Sequence, residues 1–218
     1  LYALLRAAKI YSSTNRVDAG IIYGIRDPAT VTDSVSGETN IKVADSVAMV
    51  RRMTREEANT LIDVLNENNN SELASKINAN NEKERPFYVV REEEGVFRQF
   101  NPNSCLLPSL FEGDKGLVGI LVFRSDLEQV KPILDTANPD RDTDYPADAL
   151  PASFAAHIFT PSGNMYTGSS SNQERYTINV GYMPTADPTE RFVDEAATEE
   201  CTIPIELYRS TGRVKGAS

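Results

Sequence analysis

Three stretches of strand-forming residues recur at nearly equal spacing, and this repetition constrains the fold more than any other feature of the chain. They cover residues 21–32, 87–100 and 154–167. Each combines β-branched or aromatic residues with a Gly or Pro turn, which is the pattern of a β-hairpin. Their starts are separated by 66 and 67 residues. A fixed period of this kind indicates repeated structural units.

A further apolar strand and a helix start follow each predicted hairpin. The strands are residues 46–52, 117–124 and 176–183. Thr54 and Glu57 form a capping box, residues 125–128 repeat it, and Pro188 gives a variant with proline at the first helical position. The first helix then carries an apolar stripe at helical spacing, formed by Ala58, Leu61, Ile62 and Leu65. We predict helices after residues 54 and 125 and a shorter one over 187–197.

The repeated unit is therefore hairpin, strand and helix, present twice in full and once in part. We expect an α+β fold that is internally duplicated and pseudo-twofold, with mixed or antiparallel sheets and helices on one face. Pro204 places the final strand, residues 202–209, at a sheet edge. The expected divisions are an N-terminal helical segment at 1–16, unit one at 17–85, unit two at 86–150, a partial third unit at 151–210 and a flexible tail at 211–218.

Charge narrows the choice of partner. The 218 residues include 32 acidic and 22 basic side chains, for a net charge of -10. Nucleic-acid backbones and anionic membranes both require basic surfaces, so we expect neither as a partner. Residues 1–10 predict a short helix with basic Arg6 and Lys9, too short to span a bilayer. Because the chain starts at Leu1 rather than Met, we expect a processed or trimmed, soluble protein.

The residues able to carry chemistry are few and scattered. Cys105, Cys201 and His157 cannot complete a zinc site by themselves. The cysteines are compatible with one disulfide or with two buried thiols, and their spacing does not decide between these. His157 lies within a strand pattern, with no nucleophile motif nearby, which favours a structural histidine.

Acidic and glycine-rich segments also have structural interpretations. Asp140, Asp142 and Asp144 alternate like early calcium-loop ligands, but Tyr145 and Pro151 stand where that loop needs Gly and Glu. The sequence therefore predicts surface linkers at 135–151 and at 66–85. The linker at 66–85 is predicted to contain a short helix at 71–77. Among the remaining candidates, a solvated turn is predicted for Glu92, Glu93 and Glu94. Turn or bulge positions are predicted for Gly113, Gly116 and Gly119. We predict no catalytic, cofactor-binding or metal-binding residue, and no cofactor.

Aromatic residues cluster on the predicted strands, and those left exposed would form a protein-binding or self-assembly surface. They are Tyr23, Phe87, Tyr88, Phe97, Phe100, Phe123, Phe159, Tyr166, Tyr176 and Tyr182.

The runs GIIYGIRDPATVTD at 20–33 and DSVAMVRRMTREEANTLIDVLNENNNSELASKI at 45–77 resemble the repeat unit of the translocon-associated chaperone family of cyanobacteria and plastids. Residues 87–134 are similar again, so the resemblance covers about residues 20–135. Pro132 within the second helix, the acidic linker and the third hairpin depart from it. The resemblance implies a chaperone-like, protein-binding module in a plastid.

The duplicated architecture also resembles that of the pyrenoid shell proteins of diatoms, which assemble into sheets. Neither family supplies catalytic residues. We therefore expect a non-enzymatic scaffolding protein that acts through protein–protein contacts and self-assembles as a homo-oligomer. The alternatives are a chaperone-like binding module and a viral capsid or tail subunit. An enzyme comes last, and it would need a deep pocket in which His157 or a cysteine faces a carboxylate.

Overall fold

The computed structural model describes residues 1–25, 31–33, 44–67, 69–90, 98–100, 104–106, 110, 114–123, 153–167, 171, 173–182, 191–193 and 202–216. Its helices are α1 Tyr2–Asn15, α2 Arg55–Glu67 and α3 Ser71–Ser75. Its strands are β1 Ala19–Ile25, β2 Val31–Asp33, β3 Ala44–Arg52, β4 Phe87–Val89, β5 Arg98–Gln99, β6 Ser104–Leu106, β7 Val118–Phe123, β8 Ser153–Phe159, β9 Met165–Tyr166, β10 Arg175–Tyr182, β11 Arg191–Val193, β12 Ile203–Tyr208 and β13 Val214–Gly216. The predicted α+β class with mixed and antiparallel sheets is confirmed.

Five strands close into a barrel, which the sequence pattern did not predict. The cyclic order is β1, β3, β4, β7, β8 and back to β1, with β4–β7 as the parallel pair and the other neighbours antiparallel. Small barrels are filled by side chains. The interior here is packed with apolar residues and forms a core, consisting of Ile22, Ala48, Val50, Phe87, Val89, Val118, Ile120, Val122, Phe154, Ala156 and Ile158.

Strand β3 connects the barrel to the rest of the main sheet. One of its flanks pairs with β1 along its length, and the other pairs in turn with β4, β5 and β6. From β6 the sheet continues through β10 and β12 to β13. Helix α1 covers this extension, because its buried Leu5 and Ala8 share a core cluster with Leu207 and Val214. The Ser12 hydroxyl donates to the Phe159 carbonyl oxygen at 2.9 Å and ties α1 to the barrel.

Helices α2 and α3 pack on the outer face of the barrel. The predicted capping box is present, because the Thr54 amide donates to Glu57 Oε2 at 2.8 Å and the Glu57 amide donates to Thr54 Oγ1 at 3.2 Å. The predicted stripe faces inward and joins a third apolar cluster with Tyr88 and Phe123. The helix predicted over 71–77 is present as α3, and the N-terminal helix extends beyond its predicted end to Asn15.

The hairpin prediction is confirmed for one of the three stretches. Strands β8 and β9 pair antiparallel, as residues 154–167 predicted. The hairpins predicted at 21–32 and 87–100 are wrong. In the first stretch, β1 is flanked by β3 and β8, and β2 pairs with β11 instead of β1. In the second, β4 lies between β3 and β7, and β5 pairs with β3 instead of β4. Alternating strand residues specify an extended backbone, but burial of both faces in a closed barrel selects its partners.

Three predictions near the C-terminal end are also wrong. Residues 187–197 were predicted to be helical, but Arg191–Val193 form strand β11. Residues 211–218 were predicted to be a flexible tail, but Val214–Gly216 form β13, because Val214 buries its side chain in the α1 cluster. Strand β12 therefore lies between β10 and β13 rather than at the sheet edge that Pro204 predicted. The predicted helix after residue 125 and the linker at 135–151 lie outside the described residues.

Candidate functional site

His157 lies on β8 opposite Ile21 of β1 and is fully buried. Its Nδ1 is 2.6 Å from the Tyr23 hydroxyl oxygen, and its Nε2 is 2.9 Å from the Lys115 carbonyl oxygen. A carbonyl oxygen only accepts hydrogen bonds, so Nε2 carries the ring proton and Nδ1 accepts from Tyr23. Both ring nitrogens are therefore committed to structural partners.

Electrostatics keep this pair uncharged at neutral pH. Burial lowers the pKa of His157 to about 4, against a weaker opposing effect of its hydrogen bond to Lys115. Burial also raises the pKa of the Tyr23 hydroxyl. The two rings meet edge to face, with centroids 5.5 Å apart. These contacts support the structural interpretation of His157 made from the sequence.

The other sequence candidates do not converge with His157 into a site. Cys105 is buried on β6, Gly119 lies within β7, and Gly116 has a positive φ of 74° in the turn before β7. Within the residues that the structure describes, no three potential metal ligands lie close enough together to hold an ion. The candidates outside the described residues are Cys201, Glu92, Glu93, Glu94, Gly113, Asp140, Asp142 and Asp144.

A buried arginine, which sequence reasoning missed, covers one end of the barrel core. Arg52 is 3% exposed, and its Nε donates to Asp18 Oδ2 at 2.9 Å. Its Nη1 donates to the carbonyl oxygens of Lys83 and Arg85, each at 2.9 Å, and the guanidinium carbon lies 4.5 Å from the centroid of the Phe87 ring. The charge of Arg52 is paired inside the protein, so this cluster serves the fold.

A groove between one face of α1 and strand β13 is different, because most of its side chains are exposed. We call it the α1/β13 groove. It encloses about 650 Å³, within the range of ligand-binding clefts. The α1 residues that line the groove recur at helical spacing and therefore lie on one face of the helix. The groove is lined by Tyr2, Arg6, Lys9, Ile10, Ser13, Thr14, Arg213, Val214, Lys215 and Gly216.

The β13 wall of the groove is a sheet edge with no partner strand among the described residues. The Tyr208 amide donates to the Arg213 carbonyl oxygen at 2.9 Å, which makes these two residues a hydrogen-bonded pair in the β12–β13 ladder. Such pairs alternate along an antiparallel ladder, so Lys215 also bonds towards β12 while Val214 and Gly216 direct their N–H and C=O groups away from it. Within the described part of the chain, these outward groups have no backbone partner.

Four cations surround this edge. Arg6 contacts the Tyr2 hydroxyl at 3.4 Å, Lys9 donates to the Thr211 carbonyl oxygen at 2.8 Å, and Arg213 lies over the Tyr208 ring at 6.0 Å. Lys215 is 3.6 Å from a carboxylate oxygen of Glu206. Among the described residues, the contacts of Arg6, Lys9 and Arg213 are therefore with neutral groups. Arg6 and Lys9 therefore give the α1 wall of the groove a positive charge, on a chain whose net charge is -10.

Among the described residues, two of the three exposed large apolar side chains lie here. Tyr2 and Ile10, both in the groove, are 37% and 61% exposed, and Ile203 on β12 is 58% exposed. The strand aromatics that we expected to expose a binding surface are mostly buried, as Tyr23 and Tyr176 illustrate. Sequence reasoning noted Arg6 and Lys9 but missed the groove, because it assigned residues 213–216 to a flexible tail. The available signal was a pair of basic clusters at the two ends of an acidic chain.

Comparisons with protein-family models, with curated proteins and with solved structures found no match. Among the described helices, none has the length and apolar character needed to cross a bilayer. Fold and site together define an α+β protein with a packed five-stranded barrel and a groove whose α1 wall is basic, beside a strand edge that no described strand pairs with.

Proposed function

We propose that this protein is a non-enzymatic scaffolding protein that self-assembles through the α1/β13 groove. The observation that carries this proposal is the edge of β13, which no described strand pairs with and which lies near exposed Tyr2 and Ile10. An open strand edge is a template for pairing with another chain. Apolar side chains next to it add burial energy once a partner excludes water.

The chemistry of the buried groups supports a non-enzymatic role. His157 is the single histidine of the chain, and both of its nitrogens bond to structural partners. Its lowered pKa follows from burial in the core rather than from a carboxylate partner. A general base needs access to a substrate proton, which a fully buried ring lacks.

Two finer expectations from the sequence belong to the same proposal. The 66- and 67-residue spacing supports an internal duplication with a pseudo-twofold relation, although the described strands at equivalent positions have different partners. The resemblance of residues 20–135 to the translocon-associated chaperone family supports a plastid location.

Light scattering coupled to size exclusion tests self-assembly. We expect the mass of the wild-type protein to rise with concentration, and Ile10→Ser to suppress that rise. Burial of an isoleucine contributes roughly 1.5–3 kcal/mol, so association should weaken about tenfold or more. Ile203→Ser is the matched control, because Ile203 is equally exposed but does not line the groove. A wild-type protein that stays monomeric at high concentration would refute self-assembly.

A chaperone-like binding module is the second candidate. The exposed Ile10 and Ile203 favour it, because a client-binding surface needs accessible apolar groups. It predicts a monomer that keeps an aggregating client soluble, with Ile10→Ser reducing the protection. Negative-stain microscopy separates the two functions, since a scaffold gives sheets, tubes or shells.

A further inference from the structure

We propose that the exposed face of α2 from one copy docks in the α1/β13 groove of a second copy, with carboxylates of α2 against Arg6 and Lys9. This inference rests on the proposed self-assembly and names the surface that the groove binds. The contact joins two different surfaces of the same chain, so it is heterologous. Repetition therefore extends it into a ring or an open array.

A row of carboxylates runs along the exposed face of α2. Glu56, Asp63 and Glu67 are all exposed, and they follow one another at intervals of seven and four residues. These intervals correspond to about two turns and one turn of an α-helix, so the three side chains lie along one line of its surface. We call them the acidic row. The opposite face of α2, with Ala58 and Leu61, is buried in the apolar cluster on the barrel.

Within the described residues, the acidic row and the groove carry charges that ion pairs of the same copy do not use. None of the three carboxylates is in an ion pair there, whereas Glu57 on another side of α2 pairs with Arg51. Arg6 and Lys9 contact neutral groups. Surfaces of opposite charge attract each other and favour one orientation of approach. The acidic row of a second copy therefore complements the α1 wall of the groove.

The spacing of the two sets of charges also matches. Arg6 and Lys9 are three residues apart on α1, and Asp63 and Glu67 are four residues apart on α2. Side chains at either spacing are neighbours on a helix surface, with Cβ atoms about 5–6 Å apart. One carboxylate can therefore face each cation when the two helices lie side by side. The carboxylates would also offset the repulsion between the two neighbouring cations.

Ile10 supplies the burial that the charges do not. Exposed ion pairs contribute little affinity, because water screens them and flexible side chains must be held in place. Ile10 is 61% exposed and lies beside Lys9 in the groove lining. A helix docked along the groove would cover Ile10, and burial of its side chain favours association. The charges then select the face of α2 that docks, and Ile10 adds affinity.

Other pairings of the described helices are less favourable. Two grooves facing each other would bring the cations of α1 against the same cations of the second copy, which opposes a symmetric contact. The exposed carboxylates of Glu72 and Glu82 are already offset within one copy, because Glu72 pairs with Lys76 and Glu82 pairs with Arg85. The acidic row of α2 is therefore the better complement to the groove.

Charge reversal in the full chain, followed by light scattering, tests the contact. Arg6→Glu sets a negative charge against the acidic row, and Asp63→Lys sets a positive charge against the groove, so each should weaken association roughly tenfold. The double variant Arg6→Glu, Asp63→Lys restores opposite charges and should return association to within about threefold of wild type. Both positions are exposed, and Glu and Lys favour helices, so circular dichroism and urea unfolding should stay unchanged.

Lys76 provides the matched control, because it is an exposed cation on α3 outside the groove. Lys76→Glu should leave association unchanged. The double variant Lys76→Glu, Asp63→Lys has the same net charge as the complementary double variant, but it should associate as weakly as Asp63→Lys. Equal rescue by both double variants would show that net charge governs association, and it would overturn the α2 contact.

Cross-linking with a carbodiimide locates the contact. The reagent joins a lysine amine to a touching carboxylate through an amide bond, and it takes up the water that is lost to become a urea. In a mixture of isotopically light and heavy chains, mass spectrometry should find links between copies from Lys9 to Asp63 or Glu67. Absence of both links at a concentration where the mass shows assembly would overturn the contact.

The mass of the wild-type chain separates this contact from self-assembly in general. A mass that rises with concentration to the same extent in wild type, Arg6→Glu and Asp63→Lys supports self-assembly and overturns the α2 contact. A wild-type chain that stays monomeric at high concentration overturns self-assembly and this contact with it.

Discussion

Replacing His157 with glutamine should remove most of the loss of stability between pH 7 and pH 5. His157 is neutral in the folded protein, where burial lowers its pKa from 6.5 to about 4. The unfolded chain takes up a proton on this side chain as the pH falls through 6.5, and the folded chain does not until about pH 4. Stability must therefore fall as the pH is lowered across this window.

The two pKa values set the size of the effect. A proton that only the unfolded state binds costs about 1.4 kcal/mol per pH unit once the pH lies well below the unfolded pKa. Between pH 7 and pH 5 the loss integrates to about 2 kcal/mol, out of a typical total of about 5–15 kcal/mol. The comparison is restricted to pH 5 and above. The hydrogen bond from Arg51 lowers the pKa of Glu57, so carboxylates of this kind lose their contribution to stability only at more acidic pH.

Urea denaturation at several pH values, followed by circular dichroism, measures this loss directly. The wild-type free energy of unfolding should drop by about 2 kcal/mol between pH 7 and pH 5, while His157→Gln stays nearly flat. An equal slope in both proteins would show that His157 is protonated or solvated in the fold.

Three further substitutions test other contacts by the same denaturation assay. Arg52→Met should cost about 3 kcal/mol, because it leaves the Asp18 carboxylate without its buried partner, and Asp18→Asn in the same chain should restore part of the loss. A cost below about 1 kcal/mol would contradict that pairing. Thr54→Ala should cost about 1 kcal/mol through loss of the helix cap, whereas Thr54→Ser should preserve it. Gly20→Ala should cost about 1–3 kcal/mol, since the new methyl carbon would overlap the His157 carbonyl oxygen. A stable Gly20→Ala protein would show that β1 and β8 separate easily.

Contacts between residues close in sequence were predictable. The Thr54 cap and the Leu61 stripe depend on neighbours within one or two helical turns, so side-chain chemistry alone specifies them. The hairpin of β8 and β9 closes over a short turn, and the sequence indicated it for the same reason. The structural role of His157 also followed from its place in a strand, although its partner Tyr23, 134 residues away, did not.

Contacts between distant residues were decided by the tertiary structure. The sequence by itself determined that the chain would be acidic and would contain extended segments and capped helices of an α+β protein, because these features depend on local backbone preference and composition. Only the folded chain decided that five of those strands close on each other, since any apolar strand face can pair with several others until burial selects one arrangement. The α1/β13 groove has the same origin. Residues 2–14 and 213–216 form it together, and no local pattern records that the two ends of the chain meet.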